Sequence, residues 1–178
     1  MLVRKRGVGT QVVHGTVRRP VALTSLFDDL AAAGKEQSTE VLQLEQLPAD
    51  EEVARSLRIE EGAAVWSLRR LRTVTGQPLA LMHNYLPNAL VDLGQAELEK
   101  DGLYNYLRRS GVHIRVAHES IGARAAETEE DRLLGVRTGA PLLTMNRIAY
   151  NDAGIAVEYD VHAYRSDLYS FEVTLVDR

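Results

Sequence analysis

The 178-residue chain contains no cysteine. That removes disulfides, thiol nucleophiles and thiolate metal sites, and it suits a reducing compartment. No apolar run approaches the roughly 20 residues that a membrane helix needs, and the N-terminus carries charge with no apolar stretch after it, so it is not a signal peptide. A cytoplasmic protein is the expectation. Enzyme signatures are lacking too. "GVGT" (7–10) has neither the spacing nor the preceding strand of a dinucleotide loop, and neither GxxxxGK nor GxSxG occurs. The five histidines, His14, His83, His113, His118 and His162, show no HExxH spacing and read as ordinary surface or core residues, with no metal expected.

Acidic residues are absent before Asp28, while Arg4, Lys5, Arg6, Arg18 and Arg19 give residues 1–19 a charge of +5. The rest of the chain holds sixteen basic and twenty-five acidic residues, or −9. A basic front on an acidic body either attracts nucleic-acid phosphates or is a plain solvated terminus; charge alone leaves both open. With 45% hydrophobic residues the body has enough apolar side chains for one core.

Patterning predicts an α+β fold with an antiparallel sheet flanked by helices. "LTSLFDDLAAAG" (23–34) is a helix with Thr24 or Ser25 as its cap and Gly34 as its stop. "STEVLQLEQL" (38–47) alternates as a strand, and "PADEEVARSLRI" (48–59) restarts a helix capped by Asp50. "AAVWSLRRLRTV" and "PLALMHNYLP" form a hairpin through "TGQP" (75–78). Residues 95–110 are mainly helical, 112–125 are a long strand, and "ETEEDRLLG" (127–135) is a short helix with Thr128 as cap. A second hairpin turns at "NDAG" (151–154), and "YSFEVTLV" (169–176) is the last strand. Tight turns require antiparallel neighbours, because parallel strands need crossovers.

The chain also resembles itself. Residues 57–70 align without a gap on 134–147, matching Leu57 to Leu134, Gly62-Ala63 to Gly139-Ala140 and Arg70 to Arg147. A helix precedes and a hairpin follows each copy. A duplication predicts a pseudo-symmetric body with a cleft between its halves, a usual place for a small molecule.

Alternation puts Trp66, Leu68, Arg70, Arg72 and Val74 on one face of the first hairpin, with Arg70 and Arg72 about 7 Å apart along the strand. Two such forks can close on one anion. In the second hairpin Ala156, Glu158, Asp160, His162 and Tyr164 share a polar face, and Ile155, Val157, Tyr159, Val161 and Ala163 share a core face. The polar residues suit either a small-molecule pocket or an internal pair of Arg70 or Arg72 with Glu158 on an exposed sheet. Arginines beside Glu158 and Asp160 should lower both carboxyl pKa values, which disfavours acid catalysis.

"RKRGVGTQV" (4–12) resembles the last wing strand of a winged-helix DNA-binding domain of the GntR superfamily. "LTSLFDDLAAAGK", "VARSLRIEEGAAVWSLRRLRTVTGQPLALMHNYLP", "GLYNYL", "LGVRTGAPLLTMNRIAYNDAG" and "VEYDVHAYRSDLYSF" resemble, in that order, the UTRA effector-binding domain of HutC-type regulators. The resemblance implies a chorismate-lyase-like fold, a homodimer and a pocket for a small, often anionic, metabolite, with no cofactor. It divides the chain into a wing-and-linker remnant (1–19) and the effector domain (20–178), which would reach operator DNA through a winged helix not included in the chain. The matching positions are Ser25, Arg70, Arg72 and Tyr104 for a phosphate, and Glu158 and Tyr164 for a sugar. Leu26, Met82 and Gly102 depart from the pattern, where Phe, Glu and Ser are common. A repressor responding to a metabolite such as a sugar phosphate is the first expectation. A stand-alone enzyme of chorismate-lyase type on the same fold is the alternative.

Overall fold

The computed structural model describes residues 26–32 and 34–172, together with three short N-terminal strands. Those strands are β1 (Leu2–Lys5), β2 (Val8–Val12) and β3 (Val17–Pro20). The basic front, read from sequence as one strand, is two: β1 pairs antiparallel with β2. Thr24 and Ser25 lie outside the described residues.

The body follows as α1 (Leu26–Ala32), β4 (Gln37–Pro48), α2 (Glu51–Leu57), β5 (Ala64–Val74), β6 (Gln77–Pro87), α3 (Gln95–Asp101), α4 (Leu103–Arg109), β7 (Ile114–Ala125), α5 (Thr128–Leu134), β8 (Pro141–Asn151), β9 (Ala156–Arg165) and β10 (Tyr169–Glu172). Six strands make one antiparallel sheet in the order β4-β5-β6-β9-β8-β7. β10 pairs instead with β3, in parallel, tying the chain just before α1 to the end of the body.

The strand order reads as two mirrored halves, each a long strand, a helix and a hairpin, meeting at β6 and β9. Equivalent hydrogen bonds recur in both halves. Ala49 N–H donates to the Ala63 carbonyl, and Ala126 N–H to that of Ala140, each at 2.8 Å. Ile59 N–H donates to Ala54 and Val136 N–H to Asp131, both at 3.0 Å. Gly62 and Gly139 share a positive φ, +83° and +74°, in the turn that delivers each hairpin. These matches support the duplication read from sequence.

Both faces of the sheet are covered. On the back, α2 packs against β9 and α5 against β6, so each half lends its helix to the other's central strand. Val53, Ala54, Leu57, Val65, Ala156 and Tyr159 form one buried cluster there. Leu71, Leu134, Leu142 and Ala163 form another. On the front, Leu68, Leu86, Leu98, Leu103 and Leu107 pack beneath α3 and α4. Leu26, Leu30, Val74, Leu79 and Tyr164 pack around α1. Between these two front clusters the sheet carries polar side chains.

Several local expectations change. Asp50 does cap α2, accepting the Val53 N–H at 2.8 Å. The cap of α5 is Glu127 rather than Thr128: Glu127 and Glu130 form a reciprocal capping box, a longer side chain doing what the hydroxyl was expected to do. The helical stretch 95–110 breaks at Gly102, whose φ of +77° no helix continues through, into α3 and α4. An irregularity in pairing near Tyr150 moves Ala156 off the polar face into the back cluster, and Ile155 is exposed at the turn.

Candidate functional site

Register builds the site. On the front face Arg70 stands opposite Met82, which stands opposite His162. One row along, Asn84 faces Asp160, Asp160 faces Arg147, and Arg147 faces Glu119. A third row places Arg72 across from Ala80, and Ala80 across from Tyr164. Helix α4 brings Tyr104 over this surface and α1 brings Leu26 and Phe27. The result is a cavity of about 30 Å³, lined by Arg70, Arg72, Tyr104, Glu158 and Tyr164 and by Phe27, Met82, Asn84, Arg147, Asp160 and His162 among others. Of the six residues singled out in the sequence, five thus converge; Ser25 lies outside the described residues.

The polar face of β9 is buried rather than exposed. Glu158 is 0% exposed and Asp160 1%. Arg70 and Glu158 are bridged by an amide: Arg70 Nη2 donates to Asn84 Oδ1, and Asn84 Nδ2 donates to Glu158 Oε1, both at 2.7 Å. Asn84 Nδ2 also lies 3.3 Å from His162 Nε2, and His162 Nδ1 lies 3.1 Å from the Tyr164 hydroxyl. Arg147, the repeat partner of Arg70, donates to Glu119 Oε2 at 2.8 Å and to the Tyr104 hydroxyl at 3.0 Å.

Arg72 is different. It is 1% exposed, its Nη1 donates to Gln37 Oε1 at 3.2 Å, and its Nε has no hydrogen-bond partner. Gln37 Nε2 in turn donates to the Phe27 carbonyl at 2.8 Å, and the Phe27 ring lies 5.3 Å from the guanidinium carbon. Burial, and then repulsion from Arg70, depress its pKa to about 9. Burial also lowers Arg70, partly offset by Glu158 and Asp160. For Arg147 burial acts the same way, but Tyr104, Asp160 and Glu119 outweigh it and raise the pKa.

The carboxyl expectation is corrected here. Burial raises the pKa of Glu158, and the Tyr104 phenol, Arg147, Arg70 and Asn84 only partly draw it back. At a site that excludes water, desolvation exceeds the attraction of nearby arginines. A raised carboxyl is compatible with acid chemistry, so the arginines beside Glu158 do not by themselves exclude catalysis.

Asn84 and Arg147 join the site without a role expected from sequence, while Asp160 and His162 lie on the polar face of β9 expected to meet a small molecule. The repeat held the signal for Arg147, which occupies the place of Arg70 in the other half. Strand alternation from Met82 reaches Asn84, and alternation from Glu158 reaches Asp160 and His162. Among the described residues no group of three or more His, Asp or Glu side chains could hold a metal ion, and no helix is long and apolar enough to cross a membrane.

Residues 32–170 match the UTRA domain family. The repressor NagR of Bacillus subtilis, an HTH-type transcriptional repressor, is 28% identical over 181 residues, spanning 100% of this chain and 74% of NagR. A structure from Streptomyces coelicolor, described as a transcriptional regulator, is 44% identical with a TM-score of 0.76, covering 81% of this chain and 96% of that one. The PhnF structure from Mycobacterium smegmatis superposes with a TM-score of 0.86 at 26% identity, over 99% of this chain and 79% of PhnF. These relatives are regulators, which decides against the enzyme reading. The chain belongs to the UTRA family, the ligand-binding domain of GntR-family transcription regulators.

Proposed function

We propose that this chain is the sensing domain of a HutC-type repressor, and that its front cleft holds a small metabolite bearing a phosphate or carboxylate, such as a sugar phosphate. Arg70 and Arg72 grip the anion with Ser25 and Tyr104, while Glu158 and Tyr164 hold the body of the ligand. Residues 1–19 are the end of a wing and its linker, and residues 20–178 the effector domain. The working protein is a cytoplasmic homodimer, since a repressor acts where its operator is and two half-sites call for two-fold symmetry.

Arg72 carries this reading. A buried guanidinium costs several kcal/mol to desolvate unless an opposite charge offsets it. Among the described residues its hydrogen bond goes to a neutral amide, and its Nε is left over. An anion placed between Arg72 and Arg70 would satisfy that nitrogen, cancel the repulsion between the two, and restore both to ordinary guanidinium chemistry. The leucine and phenylalanine of α1 close the apolar side of the same cleft. A sugar-sized ligand exceeds the present cavity of about 30 Å³, so side chains lining it have to rearrange to admit one.

The experiment is a thermal-shift screen of sugar phosphates and small carboxylates on the wild type, Arg70→Ala and Arg72→Ala. A bound ligand stabilises in proportion to RT ln(1 + [L]/Kd), so weaker binding appears as a smaller shift. Ligands that shift only the wild type support the arginine grip. A ligand that stabilises all three proteins equally rejects it.

A further inference from the structure

The back of the sheet holds a larger cavity than the front cleft, about 170 Å³ against about 30 Å³. It lies between the start of α5 and strands β5, β6 and β9, on a floor of Leu81, Val161 and Ala163. Its rim is charged, and the charges are paired. Arg69 Nη2 donates to Glu129 Oε2 at 2.8 Å, and Arg124 Nη2 to Glu130 Oε1 at 2.6 Å. The rim reaches solvent, with the Arg69 and Glu129 side chains 31% and 52% exposed. Folded chains close-pack the space between their elements, so a gap of this size beside a helix needs a cause.

The other half of the molecule shows what fills the equivalent place. The repeat matches Arg70 to Arg147, and Met82 and Asp160 stand opposite them, so Met82 matches Asp160. Counting along β6 and β9 from there, Leu81 matches Tyr159 and Tyr85 matches Ala163. The second residues of α2 and α5, Glu52 and Glu129, match in the same way. Under α2 the two tyrosines stack, with ring centroids 6.0 Å apart and planes 17° from parallel. The Tyr159 hydroxyl donates to Glu52 Oε1 at 2.6 Å. Under α5 their places go to the smaller Leu81 and Ala163, and both of these line the cavity. The gap is the room that the phenol rings take in the other half.

We infer that the back cavity is a second ligand site and that it takes a small phenol. The ring lies on Leu81 and Ala163, and its hydroxyl donates to Glu129 as Tyr159 donates to Glu52. Glu129 accepts from Arg69 through Oε2, and a carboxylate has room for further donors. An apolar cavity of about 150 Å³ takes up benzene, so a space of about 170 Å³ holds one substituted ring. Bound there, a phenol joins α5 to β6 as Tyr159 joins α2 to β9. The site is separate from the front cleft, because Arg69 leaves β5 on the opposite face from Arg70 and Arg72.

Isothermal titration of the unmodified chain with 4-ethylphenol tests this, against its methyl ether 4-ethylanisole, which lacks the donor. The phenol is expected to bind about tenfold tighter or more, the worth of a hydrogen bond to a charged acceptor. Amide signals of Leu81, His83 and Ala163 should shift in heteronuclear NMR. Leu81→Tyr, which puts a phenol into the space, should abolish binding and raise Tm. Glu129→Ala, on the exposed rim, should bring phenol and ether to equal affinity, and it decides the matter if Leu81→Tyr does not fold. Arg72→Ala should leave both affinities unchanged, which separates this site from the front cleft. Equal binding of phenol and ether by the wild type overturns the phenol assignment. Binding lost in Arg72→Ala but kept in Glu129→Ala puts the ligand in the front cleft and overturns the back site. A phenol that fails to bind at millimolar concentration overturns it as well.

Discussion

Phe27 covers Arg72, with the ring centroid 5.3 Å from the guanidinium carbon, and the same ring fills the space beside Gly102. The helix α1, the buried Arg72 and the break between α3 and α4 thus meet at one aromatic ring. That contact gives a reason for glycine at position 102. A Cβ there would stand 2.9 Å from Phe27 Cγ, and the φ of +77° is unfavourable for any other residue.

Gly102→Ala is expected to destabilise the protein by about 1–3 kcal/mol, combining backbone strain with the collision. In a Phe27→Ala background the steric part should vanish and the backbone part remain, so the cost should fall. Urea titrations of the four proteins in the cycle measure this. Equal costs in the two backgrounds would mean that the ring does not pack on Gly102.

Arg72→Met should separate stability from function. Removing a buried cation that has no carboxylate partner is expected to stabilise the ligand-free protein by about 1 kcal/mol or more, because hydrophobic replacements of buried charge are often stabilising. The same change should weaken an anionic effector about ten- to a hundredfold. Thermal melts with and without ligand report both effects. A lower Tm without ligand would show that Arg72 is already well compensated in the empty cleft.

His83 provides a pH test on the back of the sheet. Its Nε2 is 2.8 Å from the Ser67 hydroxyl, and burial, helped by Arg69, lowers its pKa from 6.5 to about 4. Between those values the unfolded chain binds more protons than the folded one, so stability rises with pH across the window. The contribution is present above about pH 6.5 and is lost as pH falls toward about 4. His83→Gln should flatten this part of the Tm-against-pH curve. An unchanged slope would assign the pH dependence to other groups.

Caps offer a local check. Asp50→Ala and Glu127→Ala should each cost about 1 kcal/mol, the usual worth of an N-cap, while Thr128→Ala should cost almost nothing. Denaturant midpoints at constant slope are the readout. A large loss at Thr128 would return the cap of α5 to the hydroxyl.

The homodimer proposed for the sensing domain should persist in solution without DNA. Sedimentation velocity at micromolar protein is expected to give one species of twice the chain mass, with symmetric halves. A monomer under those conditions would count against it.

Much of the architecture was legible before any coordinates. The turns at 75–78 and 151–154 required antiparallel pairs, and the duplicated segment around Arg70 and Arg147 foreshadowed two halves in one sheet. The face carrying Arg70 and Arg72 followed from the two-residue period of a strand. The cap of α5 was misplaced because Thr and Glu both accept from the helix start, and only geometry shows which one reaches. Asn84 was missed because an amide in a strand has no local signature; its importance comes from standing between Arg70 on β5 and Glu158 on β9.

By itself, the sequence determined the things that depend on near neighbours along the chain: the periods, the cap of α2, the turns, the repeat, and the shared strand face of Arg70 and Arg72. It also determined the uneven charge, which is a matter of counting. Whether the face with Glu158 and Asp160 met water or other side chains depended on where α1 and α4 came to rest, and that only the tertiary structure decided. Burial then reversed the expected shift at Glu158, because the cost of desolvating a carboxylate grows as water is excluded and exceeds what Arg70 and Arg147 return. It also left Arg72 with a neutral amide for a partner. The distribution of charge was written in the chain, but its balance inside the cleft exists only in three dimensions.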